Sequence, residues 1–70
     1  MVTTELLIKL WDYECKPVFT NYDKVVKLIK EAGLVLNGDK SDGNKDVWVD
    51  VEGHEIIIAA DADGCLVIIH

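Results

Sequence analysis

Apolar residues gather in two runs at the end of the chain. Glu55-Ile56-Ile57-Ile58-Ala59-Ala60-Asp61 and Cys65-Leu66-Val67-Ile68-Ile69-His70 are separated by Ala62-Asp63-Gly64. Ile and Val suit a pleated, half-buried surface, so the pattern predicts two strands. Asp61-Ala62-Asp63-Gly64 suits a type I turn with Gly64 at positive φ, giving a three-residue hairpin loop. That register sets Asp61 against Cys65, Ala59 against Val67 and Ile57 against Ile69. Both faces of the hairpin are then oily. Ile56, Ile58, Ala60, Leu66 and Ile68 point one way, and Ile57, Ala59, Cys65, Val67 and Ile69 the other, so each face needs cover.

Upstream, Val47-Trp48-Val49-Asp50-Val51-Glu52 alternates as a strand with Val47, Val49 and Val51 inward. Glu52-Gly53-His54 makes a tight turn into the hairpin. Centred on Glu52-Gly53 or on Gly53-His54, that turn puts the three valines on one face with Ile56, Ile58, Leu66 and Ile68. Leu34-Val35-Leu36 reads as a short strand, and Asn37 to Asp46 as a mobile, solvated loop. Thr20 to Ala32 is the clearest helix. Tyr22, Val25, Val26, Ile29 and Ala32 recur at helical spacing, with Asp23, Lys24, Lys27, Lys30 and Glu31 opposite. Thr20 and Asp23 suggest a capping box. Gly33 sits where a left-handed C-cap is wanted, with Leu34 as the apolar contact beyond it.

Val2 to Glu14 supports two readings. As a strand, Leu6, Ile8 and Leu10 face the core. As a helix, Glu5, Lys9, Asp12 and Lys16 form one polar stripe with Thr4 as N-cap, but Glu14 lands mid-way along the apolar face. The strand is the working expectation, and Pro17 ends the element either way. The result is an α+β domain over residues 1–70 in the order β-α-β-β-β-β. A four- to five-stranded, mainly antiparallel sheet carries one amphipathic helix on one face. That helix covers the Val47/Val49/Val51 side. The other side keeps an apolar patch of Trp48, Ile57, Ala59, Cys65, Val67 and Ile69, rimmed by Asp50, Glu52, Glu55 and Asp61. An N-terminal helix in place of the strand would cover this patch.

Charge sharpens the picture of that patch. The net charge is −6, with seven basic residues, all lysine, against thirteen acids. Residues 1–36 carry five acids and five lysines, whereas residues 37–70 carry eight acids and two lysines, so the whole imbalance lies in the second half. With no Arg and no basic footprint, direct nucleic-acid binding is disfavoured, whereas a basic protein partner is not. The longest apolar run, Ile56 to Ala60, is far short of a membrane span. Met1-Val2-Thr3-Thr4-Glu5 has no basic n-region, so a cytoplasmic protein is expected. In that compartment Cys15 and Cys65 are expected as free, buried thiols.

Candidate chemistry is sparse. The loop around Gly43 and the turn around Gly64 are faintly calcium-like. Counted as EF-hand loops, they put Gly38 and Lys40, or Ala59 and His70, where ligands belong. Cys15, Cys65, His54 and His70 lack the two-to-five-residue spacing of paired zinc ligands. Ser41 is a lone loop serine, and no Cys-His arrangement with an orienting third group is visible. No catalytic, metal or cofactor site is expected.

Tyr22 to Asp61, a helix ending in Leu28-Ile29-Lys30-Glu31-Ala32-Gly33-Leu34 followed by strands and turns, is similar to the toxin HicA, a small α-β-β-β RNA-cleaving protein. Asp42-Gly43-Asn44-Lys45-Asp46 stands where that family has its Gly-Ser-His motif, and the family's basic surface is missing. The resemblance therefore implies a pattern of elements without the catalytic His. In size and charge the chain looks like anti-CRISPR proteins of phage and immunity proteins against toxic nucleases. The expected function is a small acidic inhibitor, acting in the host cytoplasm if phage-encoded. It would occlude a basic, nucleic-acid-handling protein through Trp48, Asp50, Glu52, Glu55, Ile57, Asp61, Val67 and Ile69. The alternative is a structural or regulatory subunit that uses the same patch to form a homodimer.

Overall fold

The computed structural model describes residues 2–70. Six elements follow one another among them: α1 (Thr4–Trp11), α2 (Val18–Glu31), β1 (Val35–Leu36), β2 (Lys45–Val49), β3 (Glu55–Ala60) and β4 (Leu66–Ile69). The strands form a four-stranded antiparallel sheet in the order β1-β2-β3-β4. The fold is α+β.

The first segment is a helix, which corrects the strand expected over Val2–Glu14. Thr3, not Thr4, is the N-cap, and its hydroxyl accepts the N–H of Leu6 at 3.1 Å. Glu5 lies in the first turn, where the helix dipole favours an acid, and reaches Lys9 one turn on at 3.4 Å. Glu14, the residue that spoils a longer helix, lies beyond the end at Trp11.

The second helix begins two residues before Thr20, and the capping box does not form. Pro17 is the N-cap, the Thr20 hydroxyl donates back to the Pro17 carbonyl at 3.5 Å, and the N–H of Val18 bonds to Gly64 O at 2.8 Å. The C-terminus is as the sequence predicts. Gly33 takes φ +89°. Its N–H bonds to Lys30 O at 3.0 Å and that of Leu34 to Ile29 O at 3.3 Å, a Schellman closure with Leu34 driven into the core.

Between the helices the chain runs beside β4. Pro17 pairs with Cys65, the N–H of Leu66 bonds to Lys16 O at 2.8 Å, and that of Cys15 to Leu66 O at 3.1 Å. This short pairing shields one edge of the sheet. Cys15 adopts φ +66° there and is exposed, and Cys65 is only partly buried, so the expectation of two buried thiols is corrected.

The β3–β4 hairpin has the predicted register, with Ile57 opposite Ile69, Ala59 opposite Val67, and Gly64 at φ +79°. The β2–β3 hairpin does not. Its loop holds three residues, Val51-Glu52-Gly53, so Trp48 faces Ile56 and Val47 faces Ile57. Shifting a pairing by one residue sends every side chain to the opposite face. Trp48 therefore joins Ile56, Ile58, Leu66 and Ile68 under the helices, packed with Leu6 and Leu10 of α1, Val25 and Ile29 of α2, and Leu34. Val47, Val49 and Val51 are not on the covered side, and Val51 is 95% exposed at the loop. Both helices contribute to this one core, so the first helix does not cover the opposite face.

Candidate functional site

That opposite face is the candidate site. Pairing aligns Val35 with Val49, Val47 with Ile57, Ile57 with Ile69, and Ala59 with Val67. Ile57, Ala59, Val67 and Val49 are partly exposed, Ile69 is 51% exposed and Val35 62%. The result is an aliphatic surface across all four strands, rich in β-branched side chains that are stiff and lose little freedom when covered. At one end the turn at 37–41 folds back. Ser41 Oγ accepts the N–H of Val47 at 3.0 Å, the N–H of Asn37 bonds to Val47 O at 2.8 Å, and Val47 is buried.

The residues expected at this surface divide into four groups. Ile57, Val67 and Ile69 are on the open face. Glu55 stands at its margin in a 2.9 Å ion pair with Lys40, a loop residue that no pattern along the chain singles out. Glu52 is exposed at the hairpin loop, 4.0 Å from the His54 imidazole. Trp48 is a correction: only 5% exposed, it belongs to the core and cannot anchor a partner on the open face. Its indole N–H is buried with no hydrogen-bond partner among the described residues, a polar group held inside for the packing of its rings. Val35, Val49 and Ala59 complete the face. The first two become visible as members only once the register is known.

Asp50 and Asp61 are occupied by the backbone. Each opens a five-residue turn of the form Asp-x-x-Gly-x, and its Oδ1 accepts two N–H groups of that turn. For Asp50 these are Glu52 and His54, both at 2.9 Å. For Asp61 they are Asp63 at 2.8 Å and Cys65 at 2.9 Å. Asp50 does more. Its side chain is fully inaccessible, and its other oxygen accepts the Val2 N–H at 3.1 Å and lies 3.3 Å from His54 Nδ1. Burial works to raise this carboxyl, but the N–H groups of His54, Val2 and Glu52 and the His54 ring outweigh it and hold the carboxyl below its ordinary value. Asp50 therefore clips the start of the chain to the β2–β3 hairpin and is unavailable as rim charge.

The charge that remains is distributed by layer. The helices come from the balanced residues 1–36 and β2–β4 from residues 37–70, which carry the whole net charge of −6. A second acidic feature lies where α2 crosses the sheet. The Tyr22 hydroxyl donates to Asp46 Oδ2. This bond first, then burial and the charges of Asp46 and Asp23, pushes the phenol up to about 12. Beside the pair is a cleft of about 150 Å³, lined by Val18, Tyr22, Asp42 to Asp46 and Ile58 to Ala60.

Chemistry elsewhere is quiet. Burial, and then the carboxylates of Asp61 and Asp63, pushes the Cys65 thiol up, away from the thiolate a nucleophile needs. Among the described residues no group of three His, Cys, Asp or Glu is placed to hold a metal ion. No helix among them is long and apolar enough to cross a membrane. Compared with protein-family models, with curated proteins and with solved structures, the chain matches none.

Proposed function

We propose that the protein is a non-enzymatic binding protein that lays the open face of its sheet on a basic protein target and occludes it. In size and charge it is of the anti-CRISPR or nuclease-immunity type, with a nucleic-acid-handling enzyme as the target. One observation carries this reading: the uncovered aliphatic face of Val35, Val49, Ile57, Ala59, Val67 and Ile69 lies on a sheet whose strands β2–β4 come from residues 37–70, the stretch that carries the whole net charge. An apolar patch with a charged surround is how interfaces combine burial with steering. The same charge argues against a second copy on this face, because pairing would bring together two chains that each carry −6.

The test uses the immobilised protein against a bacterial lysate. At low salt it should retain basic nucleic-acid-handling proteins, and high salt should weaken that retention. Ile57→Asp and Val67→Asp change side chains already at the surface, so both variants should fold and lose roughly tenfold or more in affinity. Retention unaltered by both substitutions overturns the proposal. So does a parent that sediments as a dimer and becomes a monomer on Val67→Asp, which would assign the face to a second copy.

A further inference from the structure

Resting on the function just proposed, the cleft beside Tyr22 and Asp46 gives the partner a more specific character. We propose that it receives the side chain of a lysine or arginine from the basic partner, with the aliphatic stem along Val18, Ile58 and Ala60 and the cationic head at Asp46.

The cleft is built for such a group. Its walls are aliphatic where a stem would lie, and its volume of about 150 Å³ holds roughly five groups of water size at ~30 Å³ each. Lysine and arginine bury their methylenes in this way while keeping the charge at a polar rim. Asp46 lies on the helix-facing side of β2, opposite Ile58, and is only partly exposed. Its partner is the neutral hydroxyl of Tyr22, and among the described residues no cation pairs with it. The phenol is pushed up to about 12, so it stays protonated and donates to Asp46 as a neutral group that holds the side chain in place.

The loop that lines the cleft is also ordered. Asp42 Oδ1 accepts the N–H of Asn44 at 2.7 Å and of Lys45 at 3.0 Å, so the loop does not need to be organised by the ligand. Lys45 is the only basic residue of the lining, against Asp42 and Asp46, which leaves the cleft net negative. Tyr22 adds an aromatic wall, favourable beside a cation.

The probe is N-acetyl-lysine methylamide, titrated into the labelled protein and followed by amide NMR, with the norleucine analogue as the uncharged control. The lysine compound should give saturable shifts at Tyr22, Asp46, Ile58 and Ala60 with a Kd in the roughly millimolar range, and the control none. Asp46→Asn keeps an acceptor for the Tyr22 hydroxyl but removes the charge, and should weaken the probe at least fivefold. Tyr22→Phe keeps the charge and should still bind, which separates loss of charge from loss of fold. Equal shifts from both compounds overturn the assignment, as do shifts spread over every acidic surface or an affinity indifferent to Asp46→Asn. The titration does not involve the sheet face, so its failure leaves the capture experiment on Ile57 and Val67 intact, and the converse also holds.

Discussion

The two faces of the sheet are made of nearly the same residues. Ile56, Ile58, Leu66 and Ile68 are sealed beneath α1 and α2, while Ile57, Ala59, Val67 and Ile69 alternate with them along the same two strands and remain accessible. Hydrophobicity alone therefore does not decide which positions build the core. Among the described residues two helices are available for cover, and both lie on one side. A small domain buries a smaller share of its surface than a large one, so an oily face left over is a real cost unless something else covers it.

Two neighbours in β3 should respond very differently to truncation. Ile58→Ala, in the core, should cost about 2–5 kcal/mol in urea unfolding. Ile57→Ala, on the open face, should cost about 1 kcal/mol or less in the isolated protein, because part of its surface is already wet. Equal losses at the two positions would mean that the face is covered in solution.

The two Asp-x-x-Gly-x turns extend the contrast to polar groups. Asp61→Ala should cost about 1 kcal/mol, since water can replace the lost acceptor at an exposed turn. Asp50→Ala should cost clearly more, because it strands the N–H groups of Glu52 and His54 and releases Val2. Thermal melts of the two variants side by side decide this, and equal shifts would show that the clip on Val2 contributes nothing. The Asp50 carboxyl is held below its ordinary value in the fold. Its stabilisation is therefore complete above the unfolded value of about 4 and drains away as pH falls through the lower folded value. Asp50→Asn should flatten that part of the acid limb.

The smallest effect is at the cleft. The Tyr22 phenol is raised from 10.0 to about 12, so what its bond to Asp46 contributes is present below about pH 10 and is lost between there and about 12. A pH series of unfolding midpoints should show a constant difference between the parent and Tyr22→Phe up to about pH 10, then convergence. A difference that persists at pH 12 would mean that the bond from the protonated hydroxyl to Asp46 is not its source.

Several elements were legible in the residues themselves. The β3–β4 hairpin, its register and its glycine turn follow from Asp61-Ala62-Asp63-Gly64, and the end of α2 from Gly33 and Leu34, because each depends on local chemistry. The same signal was present one hairpin earlier: Asp50-Val51-Glu52-Gly53 repeats the pattern of Asp61 to Gly64 and predicts the same three-residue loop. Read as a two-residue turn, it turns Trp48 outward. The first helix was hidden for a related reason. Thr3, Glu5 and Lys9 mark it, but a segment of eight residues fits either period when its end is set one turn too late.

A small acidic α+β chain with a hairpin greasy on both sides can be read from the residues alone, because composition, turn chemistry and alternation are local properties. Which side faces the helices is set by long-range packing. With a strand period of two, a single residue in the loop after Asp50 exchanges the two faces, and the packing of Trp48 against Leu6, Leu10, Val25 and Ile29 selects between them. For the same reason long-range packing alone decides that Asp50 is a buried clip, and that Tyr22 and Asp46, 24 residues apart, share a cleft.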